Sequence, residues 1–168
     1  APAENLLAVA SAPPTIDDPA AIDGYTQPGS TANTNSVESL LGLNTVLKIE
    51  LDGSLGGAGS GLVLGALDGN STVRGLIING FANSGPGIIL ASGNQNTIEG
   101  TFVGTDPSGT IDVGNFAGLS VGPSGSADNL IGGLTPAARN LISGNNQDGI
   151  RIASADNRVQ GNLIGTDY

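Results

Sequence analysis

The chain has 168 residues and contains no cysteine, histidine, methionine or tryptophan. Without cysteine no disulfide can form. Without histidine or cysteine, a zinc, haem or iron–sulfur centre of the usual kind is excluded. A Ser-His-Asp or Cys-His nucleophile is excluded for the same reason. Cations are scarce: 5 Lys and Arg stand against 15 Asp and Glu, a formal net charge of -10. That balance argues against nucleic-acid binding, which needs Lys and Arg to neutralise phosphate. No apolar run approaches the ~20 residues of a membrane-spanning helix, so no membrane span is expected.

Glycine is abundant, with 28 residues, about twice the usual share. Ile, Leu and Val recur in short regular blocks, which is the pattern of a folded chain rather than a disordered one. These blocks repeat. STVRGLIINGF (71–81), NTIEGTFVGTD (96–106), NLIGGLTP (129–136) and NRVQGNLIGTD (157–167) share one frame: Asn or Ser, any residue, Val or Ile, any residue, Gly. Val73, Ile98, Ile131 and Val159 fall in one column; Gly75, Gly100, Gly133 and Gly161 fall in another. In the third repeat an insertion delays the next strand to Leu141-Ile142. A second block contains Leu62, Ile88, Leu119 and Ile150, spaced 26, 31 and 31 residues apart.

Every block is a few β-branched or Leu residues bounded by Gly, Asn, Ser or Asp, which is strand-and-turn chemistry. Alternation places Ile88/Leu90, Leu119/Val121 and Ile150/Ile152 on one side and Ile89, Ser120 and Arg151 on the other. A unit of short strands cannot bury its own apolar face, but stacked units can. The sequence therefore predicts an all-β, right-handed parallel β-helix (a solenoid) of about five coils. Ser71, Asn96, Asn129 and Asn157 align at one corner, where side chains of successive coils can pair. Asp106, Asn145 and Asp167 align at another corner, opposite Phe81.

Residues 1–14 depart from the repeat and are expected to be an N-terminal cap or tail, with Glu4 to Ala10 as a short capping helix stopped by Pro13-Pro14. The β-helix domain is expected over residues 15–168, with one helical turn between Ser36 and Leu43. Asp167-Tyr168 repeats the middle of a coil, as in a segment of a longer solenoid. A last coil without cover would expose apolar side chains and unpaired backbone, so end-to-end self-association is expected.

The run PTIDDPAAIDGYTQPGS, then KIELDGS, EGTFVGTDPSG, NLIGGLTPAARNLISGN and VQGNLIGTD, resembles a family of bacterial extracellular repeat proteins. The resemblance covers residues 13–168. It implies secretion, an extracellular or cell-surface location and a pectate-lyase-like architecture. It implies no agreed catalytic residues.

The chemistry expected of such a chain is a non-catalytic structural or adhesive role, with polysaccharide or other surface proteins as partners. The enzymatic alternative is a polysaccharide-active protein of the uronate lyase or hydrolase kind, or its relic. Its candidates are Asp148 and Arg151, because Asn146-Gln147-Asp148-Gly149-Ile150 with Arg151-Ile152 looks like the N-x-D-G-I phrase of polygalacturonases. That family also uses a paired Asp-Asp, a Gly-His-Gly and an Arg-Ile-Lys on neighbouring coils. This chain has no His, and its only Asp-Asp pair, Asp17-Asp18, lies in the first coil. Glycoside hydrolysis needs two positioned carboxyl groups. A third reading is a calcium-stabilised adhesin, with Asp106, Asn145 and Asp167 supplying oxygen ligands. No cofactor other than calcium is expected. Among the few aromatics, Tyr25 is the candidate for stacking on a sugar, against packing over the first corner.

Overall fold

The computed structural model describes residues 5–39, 41–55, 59–67, 69–83, 85–122 and 126–166. Its first coil runs through β1 (Asn5–Ala8), the bridge residue Ile16 and β2 (Ala21–Asp23). The second runs through β3 (Ile49–Asp52), β4 (Leu62–Leu64) and β5 (Thr72–Arg74), and the third through β6 (Leu76–Asn79), β7 (Ile88–Leu90) and β8 (Thr97–Glu99). The fourth comprises β9 (Phe102–Val103), β10 (Leu119–Val121) and β11 (Leu130–Gly132); the fifth comprises β12 (Leu141–Ile142), β13 (Ile150–Ile152) and β14 (Arg158–Gln160). β15 (Leu163–Ile164) opens a further turn.

Corresponding strands stack in three parallel sheets, β1-β3-β6-β9-β12-β15, β4-β7-β10-β13 and β2-β5-β8-β11-β14. This is the parallel β-helix expected from the repeat. The register carries Leu51, Ile78, Val103, Ile142 and Ile164 in one column. Leu62, Ile88, Leu119 and Ile150 form a second, and Ile22, Val73, Ile98, Ile131 and Val159 a third. Their central members fill the bore as one buried cluster. Each buried aliphatic side chain contributes about 1.5–3 kcal/mol by leaving water. The chain passes from the third sheet into the first over a tight corner, where Gly75, Gly100 and Gly161 have φ of 73, 57 and 67°. A side chain there would be strained, which accounts for these three members of the glycine column; in the fourth coil the positive φ falls on Gly132, at 85°, and not on Gly133.

A second apolar cluster lies outside the bore. Glu50, Ile77, Phe102, Leu141 and Leu163 share the outer column of the first sheet. Ile77, Phe102 and Leu141 are wholly buried there beneath Leu43 and Leu47. These two leucines belong to the 27–48 connection, which folds over the outside of the sheet as a flap. Its Thr31 and Val46 form an antiparallel bridge, and its Asn33 Nδ2 donates to the Pro136 carbonyl at 2.9 Å.

Three expectations need correction. Residues 5–8 form a strand, not a capping helix, and the solenoid begins with them rather than at residue 15. Asn5 N–H donates to Lys48 O at 3.0 Å and Val9 N–H to Asp52 O at 2.7 Å, so β1 satisfies the edge of β3. A helix so short would leave most of its own N–H and C=O groups without partners. Among the described residues of 36–43 there is a turn, closed by Ser39 N–H to Ser36 O at 3.0 Å, and no helix. Finally, Asp106 is not stacked at the corner with Asn145. Residues 104–113 leave the fourth coil as a hairpin-like excursion, with Val113 N–H to Gly104 O at 3.0 Å and an antiparallel Thr105–Asp112 bridge. Asn115 takes the corner position instead.

Candidate functional site

The corners hold most of the buried polar chemistry. At the entry to the third sheet, the Asn129 Oδ1 accepts from the Asn96 backbone N–H at 2.9 Å and from Asn96 Nδ2 at 3.0 Å. Asn157 repeats this toward Asn129, at 3.0 and 2.8 Å. Below them the Ser71 N–H donates to Asn96 Oδ1, and the Ala20 N–H to Ser71 Oγ. This is the corner column of Ser71, Asn96, Asn129 and Asn157 expected from the repeat. Two more run at the other corners. Asn115 stacks on Asn145 through backbone and side-chain donors at 3.2 and 3.0 Å, and Asn140 stacks on Asn162 at 3.2 and 2.9 Å. Each amide accepts from the coil before it while donating to a carbonyl, as Asn115 Nδ2 does to Ile78 O. A carboxylate can only accept.

The candidate calcium ligands are therefore in different employment. Asn145 Oδ1 serves Asn115, and its Nδ2 donates to Val103 O and Ser143 O. The Asp106 carboxylate turns into its own excursion, where Ser108 Oγ donates at 2.7 Å and the Ile111 N–H at 3.1 Å. These donors hold its pKa below the usual carboxylate range against the opposing effect of burial. Asp167 lies outside the described residues. Among the described residues no group of three or more Asp, Glu, His or Cys side chains is gathered as a metal centre.

The enzymatic candidates occupy the last full coil. Asp148 precedes β13 and Arg151 lies on its outer face, in register with Ser120. Both are exposed, and neither side chain has a hydrogen-bond or ion-pair partner among the described residues.

Tyr25 sits at the first corner with its hydroxyl donating to Gly100 O at 2.7 Å. Its ring packs against the outer apolar cluster, and the Arg74 guanidinium lies over it, 5.8 Å from the centroid. Burial pushes its hydroxyl pKa up to about 12. Arg74 also pairs with Asp23 at 2.8 Å and with Glu99 at 3.4 Å, a charge ladder across three coils. Hydrogen bonding to Arg74 lowers the pKa of Asp23. These contacts leave Tyr25 packed over the corner rather than presented as an open platform.

One buried cation escaped the sequence reading. Arg139 is 5% exposed, donates through Nε to Gly161 O at 2.9 Å, and has no partner for Nη1 among the described residues. The insertion that delays β12 carries it, and nothing in the local sequence marks it as buried.

Comparison with protein-family models, curated proteins and solved structures finds no match for this chain. No helix among the described residues is long and apolar enough to cross a membrane.

Proposed function

We propose that the chain is a non-catalytic structural or adhesive module of a secreted or cell-surface protein, working as a stiff β-helical spacer. The observation that carries this reading is where the polar side chains are engaged. The corner amides bond to one another, Asp23, Arg74 and Glu99 bond across coils, and Asp106 bonds within its own turn. Asp148 and Arg151 stand apart on the surface. The resemblance of the repeat phrases to those of bacterial extracellular repeat proteins is what suggests the location. Each coil adds about 4.8 Å of length, and the excursions at 104–117 and 134–139 supply variable surface for contact with polysaccharide or other surface proteins.

The test is a panel of uronate and neutral polysaccharides assayed for both retention and turnover. The expected result is retention, if any, without new reducing ends or unsaturated products. Product release that disappears in Asp148→Asn would overturn the proposal in favour of an enzyme.

A further inference from the structure

The excursion of the fourth coil leans on the fifth. Its Thr105, Thr110 and Asp112, with Ser143 and Gly144 of the next coil, line a recess of about 100 Å³. That is room for a cation and a few waters, since a water takes up about 30 Å³. The Asp112 carboxylate has no hydrogen-bond or ion-pair partner among the described residues. It lies against the backbone of Gly144, where an added Cβ would stand 2.7 Å from Asp112 Oδ1 and 2.6 Å from Gly104 O. A Cβ added to Gly114 would meet Gly144 O and stand 3.3 Å from both Asp112 Oδ1 and Asn146 Oδ1. Glycine at these two positions therefore lets oxygens from two coils gather around one carboxylate.

A second observation is independent of the carboxylate. Thr105 is 3% exposed, and its Oγ1 has no partner among the described residues. The residue is fixed at the edge of the recess, because its carbonyl accepts from Asn79 Nδ2 at 2.9 Å and its backbone bridges to Asp112. Buried hydroxyls are normally satisfied, so an unpartnered one beside a recess asks for something within it. Thr110 is oriented for the same purpose. The Ser108 hydroxyl donates its single proton to the Asp106 carboxylate, at 2.7 and 2.8 Å. Thr110 Oγ1, 2.7 Å from Ser108 Oγ, must then be the donor of that pair, which leaves its lone pairs free. No lysine or arginine lines the recess among the described residues, and the formal net charge of -10 favours cations generally.

We infer that this recess binds a calcium ion, held by the Asp112 carboxylate with Thr105 Oγ1, Thr110 Oγ1 and waters. Hard oxygen donors from side chains and water, at a site with loose geometry, suit calcium; magnesium demands a tighter octahedron and gives up its water reluctantly. One carboxylate makes a weak site, with a dissociation constant of about 10⁻⁴–10⁻³ M, as in extracellular calcium modules. The site lies apart from the corner that spacing suggested, since Asn145 serves Asn115 and Asp106 acts only through Ser108. It is independent of the spacer reading, so either proposal can fail alone.

Calcium chloride titrated into the EDTA-treated, dialysed chain tests the inference, read by amide NMR shifts and by thermal melting. The expected result is saturable shifts at Thr105, Gly109 to Asp112, Ser143 and Gly144, with a midpoint of about 10⁻⁴–10⁻³ M. The melting temperature is expected to rise over the same range. Asp112→Asn is expected to raise the midpoint about tenfold or more. Asp128→Asn, an exposed acid at the third-sheet corner, is expected to leave it unchanged. Thr105→Val is expected to melt no lower than the parent in EDTA, because it removes an orphaned hydroxyl, and to lose much of the calcium-dependent rise. An amide spectrum matching the parent outside the excursion shows that each variant is folded. The site is overturned by no response at calcium about tenfold above the expected range, by shifts spread over the whole acidic surface, or by a midpoint that Asp112→Asn does not move. A Thr105→Val variant that melts lower in EDTA overturns the role given to its hydroxyl, and an equal response to magnesium overturns the choice of calcium.

Discussion

Asn129 is the sharpest probe of the corner ladders. It is wholly buried and engages the coils on both sides. Replacing it by Ala removes the acceptor of the Asn96 N–H, which has no other partner. The remaining losses are softer, because Asn96 Nδ2 keeps Gly93 O, Ser126 O keeps Ser154 Oγ, and Asn157 Oδ1 keeps the Asn129 N–H. An orphaned buried donor costs about 1–3 kcal/mol and each exchanged hydrogen bond about 1. The expected loss for Asn129→Ala is therefore about 2–4 kcal/mol. Asn157→Ala, in the last full coil and only part-buried, should lose about 1 kcal/mol, since water can reach the groups it leaves. Urea unfolding with unchanged m-value measures both, and amide exchange at Asn96 gives the local readout. Asn129→Asp preserves shape but points a carboxylate at Ser126 O and Asn157 Oδ1, now 2.7 and 2.8 Å from the Asn129 Nδ2. Its pKa should therefore lie above the unfolded value of about 3.9. The destabilisation should be small below that pH and grow as pH rises toward the folded pKa. Equal losses for Asn129→Ala and Asn157→Ala, or an Asn129→Asp variant indifferent to pH, would refute the account of the ladder.

Phe102→Ala should cost about 3–5 kcal/mol, because the ring is 0% exposed under the flap; accelerated amide exchange at Leu43 and Leu47 would report the loosened cover. The Asp23–Arg74 pair should contribute at most about 1 kcal/mol, being partly exposed. Asp23 has a lowered pKa, so this stability is present above its unfolded value of 3.8 and is lost as pH falls through the folded value. Thermal melts from neutral pH to pH 3 on wild type and Arg74→Gln should show a smaller acid-induced drop in the variant; parallel curves would contradict the pair's role.

The bore was legible in the sequence because its columns obey two simple periods: alternation within a strand and a recurrence of 26 to 31 residues between coils. The first asparagine ladder was legible because its members align with a glycine column. The other two ladders were hidden by unequal excursions. Spacing alone sets Asp106 beside Asn145, but the corner needs a group that donates as well as accepts, and that criterion selects Asn115. The N-terminal Leu6-Leu7-Ala8-Val9 run has no period that separates helix from strand; the edge of β3 decides it. The outer core left a weaker trace. Ile77, Phe102 and Leu141 are apolar on a face that a solvated sheet would make polar. The covering Leu43 and Leu47 sit in a polar loop without any pattern.

That flap changes how the rod should hold together. In a simple solenoid each repeat contacts only its neighbours, and stability is a sum of local terms. Here the connection between the first and second coils reaches across the intervening strands: Tyr25 bonds to Gly100 and Asn33 to Pro136, 103 residues away. Leu43 and Leu47 pack on Ile77, Phe102 and Leu141 from three successive coils in one buried cluster. Opening any of those coils therefore disturbs the cover shared by all three, so they should unfold together rather than singly. Beyond the cover, β13, β14 and β15 rest on the preceding coil alone in their sheets.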